Sequence, residues 1–453
     1  MVNFQTSHRP PRPNQVLKRH LKSNSTTKVL LLFRNLLRKG ISSIDSFSLL
    51  FVIKACTQKS LPIEGKQMHA LVVKLGFETN IFLQTSLIDL YSALGDIGDA
   101  HHVFDEIPTK NVVCWTALIS GFVDNRKPNK ALQVFRQMQI GNVEPDQVTL
   151  TIALSACIDL GALEMGEWIH TYVNRRKELS KDLCLINALI NMYAKCGDIE
   201  IARRLFDSTK KKDVTTWTSM IVGHALHGQA EEALGLFAAM KEENKRTRAK
   251  KTSYDSWSGL LIVPNDVTFI GVLMACSHAG MVEEGKKHFR SMIEDYGVKP
   301  RLSHFGCMVD LLCRSGLLQE AYDLILDMPV QPNAVLWRTL LGACGTRGNI
   351  DLAAEARAQI LELEGSRVDD NIIMSNIYAA KGMWDEKIDV REKMKQRRAP
   401  GCSSIEIGSL INEFVTADDD HPLKREIYEA LGYLIETMKA HGYSPGKSSS
   451  SLY

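Results

Sequence analysis

The sequence predicts an all-α fold: a right-handed α-solenoid superhelix of helix-turn-helix repeats, with a small β-hairpin near the C-terminus. Three observations predict it. A block of residues recurs at fixed spacing, each block carries apolar residues at helical spacing on both sides of a glycine, and 453 residues are too many for one ordinary core.

The recurrence is carried by residue identity. LIDLYSALGDIGDAHHVFDEI begins at Leu87 and LINMYAKCGDIEIARRLFDST at Leu189. Tyr91, Gly95, Asp96, Ile97, Ala100, Phe104 and Asp105 return as Tyr193, Gly197, Asp198, Ile199, Ala202, Phe206 and Asp207, all 102 residues later. A further copy from Met308 keeps Gly316, Ala321, Asp327 and Pro329 in register. A second segment type ends at Gly166 and again at Gly285, 119 residues on, which is 102 plus a 17-residue insertion. The insertion is placed at Lys245 to Leu261, KRTRAKKTSYDSWSGLL. Trp115 recurs at Trp217, and Trp337 holds the matching place further on.

Taken in order, residues 1–22 are expected to be an unstructured or targeting N-terminus. In 23–45 only a second helix is recognisable, KVLLLFRNLLRKG, so this repeat is expected to be truncated. Blocks of 35, 36 and 31 residues then give motifs 46–80, 81–111, 112–146, 147–182, 183–213, 214–265, 266–301 and 302–333. In 81–111 the first helix carries Leu87, Ile88, Leu90 and Tyr91, Gly95 supplies the turn, and Ala100, Val103 and Phe104 mark the second helix. Pro108 ends it. A single hairpin cannot bury its own apolar face, so neighbours must stack. Residues 334–400 continue the helical pattern. Ile405-Glu406-Ile407, then Gly408-Ser409, then Ile411 to Val415 reads as a β-hairpin, and 444–453 is expected to be a disordered Ser-rich tail.

Composition narrows the function. The formal charge of +3 argues against a broad basic face for duplex DNA but permits recognition of exposed bases. The ten cysteines include no CxxC pair, so a zinc site or redox dithiol lacks local support. Cys56, Cys157, Cys276 and Cys344 each follow an alanine in an apolar run and read as small buried thiols of a reducing compartment. No apolar run approaches the ~20 residues of a membrane-spanning helix. The first 44 residues hold nine Lys or Arg and no acid, the pattern of an organelle import signal. No histidine begins the HxE of a zinc deaminase, and no catalytic, metal or cofactor site is expected. His421 and Asp418 to Asp420 read as a solvated loop, and the basic insertion KRTRAKK as a surface loop.

These segments resemble the pentatricopeptide-repeat family, in its plant subclass of alternating standard, long and short motifs. NALINMYAKCGDIEIARRLFD (Asn187 to Asp207) resembles the short motif, VTFIGVLMACSHAGMVEEG the long one, and 112–146 a standard motif from end to end. Residues 334–367 and 368–400 resemble the two extension motifs of the editing branch. Residues 401–443 resemble part of a further extension, with Ser404 where the family usually has Trp. The family's deaminase-like domain would follow.

The resemblance implies that the fifth and last residues of a motif together read one base of single-stranded RNA. Carried over by position, the pairs are Thr85 with Asn111, Thr116 with Asp146, Asn187 with Asp213, and Thr218 with Asn265. A carboxylate accepts hydrogen bonds and suits the N–H edge of guanine opposite Thr116 and Asp146. An Asn donates and accepts, which suits adenine opposite Asn111 or Asn265. The family code agrees and assigns uracil to Asn187 with Asp213. Second-position residues, among them Phe82, Val113, Cys184 and Val267, would stack on the bases. The long motifs carry Leu50, Thr151 and Ile270 at the fifth position and would read little. With the family's polarity the implied target is 5′-A-G-N-U-A-N-N-N-N-N-C, the last C being edited. The implied partners are organellar RNA, in the mitochondrion or alternatively the chloroplast, and a deaminase-domain protein acting in trans. A transcript-stabilising factor and a protein-binding helical scaffold are the other readings.

Overall fold

The computed structural model describes residues 13–23, 25–40, 44–249, 262–365, 368–392, 402–407 and 410–415, with a few helical residues between 425 and 437. Residues 1–12 of the expected targeting N-terminus, the His421 loop and the tail lie outside the described residues. The chain divides into two compact units, 1–393 and 394–453.

The first unit is a series of helical hairpins. They are α1 (Pro13–Lys22) with α2 (Thr26–Arg38), α3 (Ser46–Lys59) with α4 (Pro62–Lys74), and α5 (Ile81–Leu94) with α6 (Ile97–Asp105). Next come α7 (Val112–Asp124) with α8 (Pro128–Ile140), α9 (Gln147–Leu160) with α10 (Leu163–Asn174), and α11 (Leu183–Cys196) with α12 (Ile199–Ser208). The series continues with α13 (Val214–Leu226) and α14 (Ala230–Ala249), α15 (Asp266–Ala279) and α16 (Val282–Glu294), and α17 (Leu302–Ser315) and α18 (Leu318–Asp327). It closes with α19 (Ala334–Arg347) and α20 (Ile350–Glu364), then α21 (Val368–Ala380) and α22 (Trp384–Glu392).

Each first helix packs on the first helix of the next hairpin, and each second helix on its own partner and the following first helix. This is the α-solenoid that the repeat requires: every hairpin completes its core on its neighbours. Leu87, Ile88 and Leu90 of α5 are buried, as are Ala100, Ala202, Ala321 and Ala353 on second helices, where a small side chain lets backbones approach. A Cβ at Gly223 would lie 2.7 Å from Ala194 Cβ, so the α11–α13 contact needs glycine there. The expected turn glycine is equally explicit: Gly95 and Gly197 close α5 and α11 at φ of +83° and +109°.

Three sequence expectations are corrected. Residues 13–22 are not unstructured, and 23–45 is not a lone second helix: α1 precedes α2 and packs on α3 as other first helices do. Its basic stretch, PNQVLKRHLK, buries Leu17, while the absence of the family's identities hid it from a motif comparison. The insertion does not begin as a loop either. Lys245 to Ala249 extend α14, helped by Lys245–Glu242 and Arg246–Glu243 ion pairs one turn apart; residues 250–261 lie outside the described residues.

In the second unit, strands Cys402–Ile407 and Leu410–Val415 pair antiparallel, with Ser404 opposite Glu413 and Ile407 opposite Leu410.

A histidine–tyrosine contact recurs between second and first helices. His69 Nδ1 lies 2.8 Å from the Tyr91 hydroxyl and His170 Nδ1 2.9 Å from that of Tyr193. Burial lowers both histidines below their ordinary 6.5 and pushes the Tyr193 phenol up to about 12. A lowered folded value means the stabilisation is complete above 6.5 and is lost as pH falls through the folded value. Thermal melting from pH 7.5 to 5 should therefore show a drop that a His69→Gln/His170→Gln variant reduces; an unchanged slope would refute this assignment.

Candidate functional site

Except after 266–301, the loop ending each motif delivers a capping side chain to the next first helix. Asn111, Asp146, Asp213 and Asn265 are the N-cap residues of α7, α9, α13 and α15. Their presence thus has a structural cause independent of any ligand, since free N–H groups at a helix start favour Asn and Asp.

The cap brings each predicted pair together. Because first helices lie side by side, the fifth residue of one helix faces the third residue and the cap of the next. The Thr116 hydroxyl lies 2.6 Å from that of Thr149, and Thr149 donates its backbone N–H at 2.8 Å and its hydroxyl at 2.7 Å to Asp146 Oδ1. Thr218 lies 2.7 Å from the Thr268 hydroxyl, and Thr268 donates at 3.0 and 2.9 Å to Asn265 Oδ1. Thr85 meets Cys114 Sγ at 3.4 Å, and the Cys114 N–H donates to Asn111 Oδ1 at 3.1 Å. Asn187 makes the contact directly, its Nδ2 donating to Asp213 Oδ1 at 3.1 Å.

This geometry sorts the chemistry. Capping consumes Oδ1 in every case. What remains at Asp146 is Oδ2, an acceptor, and what remains at Asn111 and Asn265 is Nδ2, a donor; none of these atoms has a partner among the described residues. At Asn187 the amide nitrogen is turned toward Asp213, and the buried Oδ1 is left as an acceptor with no partner among the described residues. A buried unsatisfied acceptor costs about 1–3 kcal/mol, which a ligand N–H would relieve.

The second-position residues are exposed rather than packed between repeats. Phe82 is 73% exposed, and Val113, Cys184 and Val267 are also open. Phe47, Val148 and Val335 share the register and the exposure, so the apolar stripe runs beyond the residues singled out from the sequence. Six large apolar side chains exposed at one register have no explanation in the core, and they flank the paired polar residues.

Long motifs differ. In 147–182 and 266–301 the last residue is tied back to the first residue of the same motif: Gln147 Nε2 donates to Asp182 Oδ1 at 2.9 Å, and Arg301 pairs with Asp266 at 2.6 Å. Thr151 and Ile270 at the fifth position make no such link among the described residues. At the other end of the array, Arg338 stands in the fifth position of 334–367 but is held by Asp370 at 2.9 Å and Glu364 at 2.8 Å. It is therefore committed to packing α19 on α21.

One constellation escaped the sequence reading. Asn14 Nδ2 donates to Asp45 Oδ2 at 2.8 Å, and Asp45 caps α3. The available signal was spacing: Asn14 precedes Asp45 by 31 residues, as Thr151 precedes Asp182.

Comparison with known proteins places these features in context. Residues 110–159 match the PPR repeat family, and 85–112, 186–214, 215–244, 267–296 and 303–331 each match a PPR repeat. Residues 348–406 match the E motif. A chloroplastic/mitochondrial pentatricopeptide repeat-containing protein of Arabidopsis thaliana is 36% identical over 438 residues, covering 94% of this chain and 66% of its own. A chloroplastic one is 37% identical over 438 residues, covering 96% and 70%, and a mitochondrial one 37% over 420 residues, covering 92% and 62%. The chain thus spans about two thirds of these relatives' length. Among solved structures, the pentatricopeptide repeat protein PPR10 in complex with an 18-nt psaJ RNA element superposes with a TM-score of 0.66 at 16% identity, over 85% of this chain and 55% of that one. At that identity the likeness concerns the fold.

Proposed function

The chain belongs to the pentatricopeptide-repeat family, and from that premise we propose that it binds single-stranded RNA base by base in a plant organelle. The single observation that carries this reading is the juxtaposition of unpartnered cap atoms with an exposed apolar stripe at constant register. A base inserted between successive stripe residues would stack on them and turn its Watson–Crick edge to the pair behind.

The remaining atoms state the preference. Asp146 Oδ2 accepts from the N1–H and amino groups of guanine. Asn111 and Asn265 offer a donor to adenine N1. The fixed Asn187 oxygen accepts from uracil N3–H, where cytosine would present another acceptor, and the amide fills space that threonine leaves for a purine. The motifs in order give 5′-A-G-N-U-A. The relatives named chloroplastic or mitochondrial support an organellar site of action. The E motif match supports a role as the site-recognition factor of C-to-U editing, with the deaminase supplied in trans.

Anisotropy titration of the purified chain with an RNA carrying 5′-A-G-N-U-A, against the same bases permuted, tests the reading. The first should bind at least tenfold tighter; equal binding would overturn it. Phe82→Ala should weaken binding by about 1–3 kcal/mol, roughly 5- to 150-fold, without changing which base is preferred. A Phe82→Ala protein that bound as tightly as wild type would remove the stripe from the site.

A further inference from the structure

The histidine–tyrosine contact that joins two of the long motifs to the short motif after them is replaced at the third. His69 and Tyr91 meet as rings 5.6 Å apart at 71°, and His170 and Tyr193 at 5.5 Å and 73°. At the matching places in 266–301 and 302–333, 119 residues beyond His170 and Tyr193, stand Phe289 and Leu312. Neither side chain can make the bond between ring nitrogen and hydroxyl. Phe289 turns instead to Phe305 near the start of α17, with ring centres 5.4 Å apart at 61°. The other two short motifs have Gln84 and Ile186 where Phe305 stands, so no ring draws their histidines that way. Leu312 is therefore left without the ring that its place holds at the other two junctions.

Beside Leu312 lies a cavity of about 450 Å³ between α16, α17 and α18. That volume is within the range of small-molecule sites. Its lining includes Met308, Leu312 and Leu324, and Ile293, an apolar side chain 42% exposed, marks the mouth. The rim carries opposite charges on its two sides: Lys286 and Arg290 on α16, Glu320 and Asp323 on α18. One pair closes across the gap, with Lys286 Nζ 2.8 Å from Glu320. That bridge belongs to the repeat, because Lys66 meets Asp99 in the same way at 4.0 Å. Arg290 and Asp323 do not belong to it. The other junctions have Ala70 and Thr171 in place of Arg290, and His102 and Arg204 in place of Asp323. Neither Arg290 nor Asp323 has an ion-pair partner among the described residues; Asp323 accepts the neutral Gln319 amide at 3.0 Å. An apolar hollow the place of a ring, flanked by one unpaired cation and one unpaired anion, matches an aromatic group that carries both charges.

We propose that this junction binds a free aromatic α-amino acid. The ring fills the hollow beside Leu312, the carboxylate pairs with Arg290, and the ammonium pairs with Asp323. The site stands apart from base reading and does not depend on it.

The test follows the methyl signals of Met308 and Ile293 in the full chain as L-phenylalanine is added. Both should shift saturably, with half-saturation at about 1 mM or below. Phenylalaninamide, which lacks the carboxylate, and N-acetylphenylalanine, which lacks the ammonium, should each bind at least about 10-fold more weakly. Arg290→Gln should cost L-phenylalanine the same factor while leaving phenylalaninamide unchanged, and this exposed position cannot unfold the core. Phe289→His with Leu312→Tyr rebuilds the contact of the other junctions and should abolish binding without lowering the melting temperature. No saturable shift up to about 10 mM would overturn the proposal. So would undiminished binding in the rebuilt variant, or an Arg290→Gln chain that binds L-phenylalanine as wild type does. Equal binding of N-acetylphenylalaninamide would also overturn it, because the hollow would then take the side chain of a polypeptide and not the free amino acid.

Discussion

Asp146→Asn will convert one position of the bound RNA from a guanine to an adenine preference and leave the others as they were. Asn and Asp cap helices about equally well, so α9 keeps its N-terminal hydrogen bonds through Oδ1. Only the second atom changes, from an oxygen that accepts to a nitrogen that donates. Guanine N1–H then faces a donor, and adenine N1 gains one. A bidentate mismatch costs about 1–3 kcal/mol, so the ratio of affinities for two RNAs differing at this base should reverse by roughly 5- to 150-fold in each direction. Equal affinities of both proteins for both RNAs would sink the register and every pair assigned with it. Asp146→Ala is the complementary variant: it removes cap and acceptor together and should lower melting temperature as well as selectivity.

A loss of structure, confined to one end, is expected from Arg338→Ala. Asp370 has a side chain only 5% exposed and takes the guanidinium at 2.9 Å, while Glu364 holds its other edge at 2.8 Å. Removing the cation strands a nearly buried carboxylate, at a cost of about 3–5 kcal/mol. In a stack held by nearest neighbours that cost stays local. Amide exchange should accelerate in α19–α22 and remain unchanged in α5–α13, and discrimination at Asp146 should persist. Arg338→Met with Asp370→Leu should recover much of the loss, because an apolar pair of similar volume leaves no charge behind. Unaltered exchange in α19–α22, or a double variant no more stable than the single one, would show that the ion pair is not what docks α21.

The parts of this molecule legible from sequence are those fixed by local rules. The spacing of Tyr91 and Tyr193 gave the repeat, and the glycine at Gly95 and Gly197 gave the turn, because left-handed backbone admits little else. Asn111 and Asp146 were found as the ends of motifs. What no pattern could show is that their Oδ1 atoms are spent on capping and that the chemistry falls to the other atom; that follows only once the third residue of the next helix is seen to bond there. The tie between Gln147 and Asp182, and the burial of Arg338, likewise depend on which helices become neighbours. Asn14 escaped because its helix keeps the geometry of a first helix without its identities.

The extended α14 carries a last consequence. Motif 214–265 is longer than its counterpart 112–146 by 17 residues, yet Thr218 and Thr268 meet at 2.7 Å, as Thr116 and Thr149 do at 2.6 Å. Extra chain between a second helix and the next cap leaves the marks of the ruler where they were. Length is thus free to drift at that junction while spacing along the graduated edge is not. A fluorophore or an affinity handle grafted between residues 249 and 262 should accordingly leave the Thr218–Thr268 contact in place.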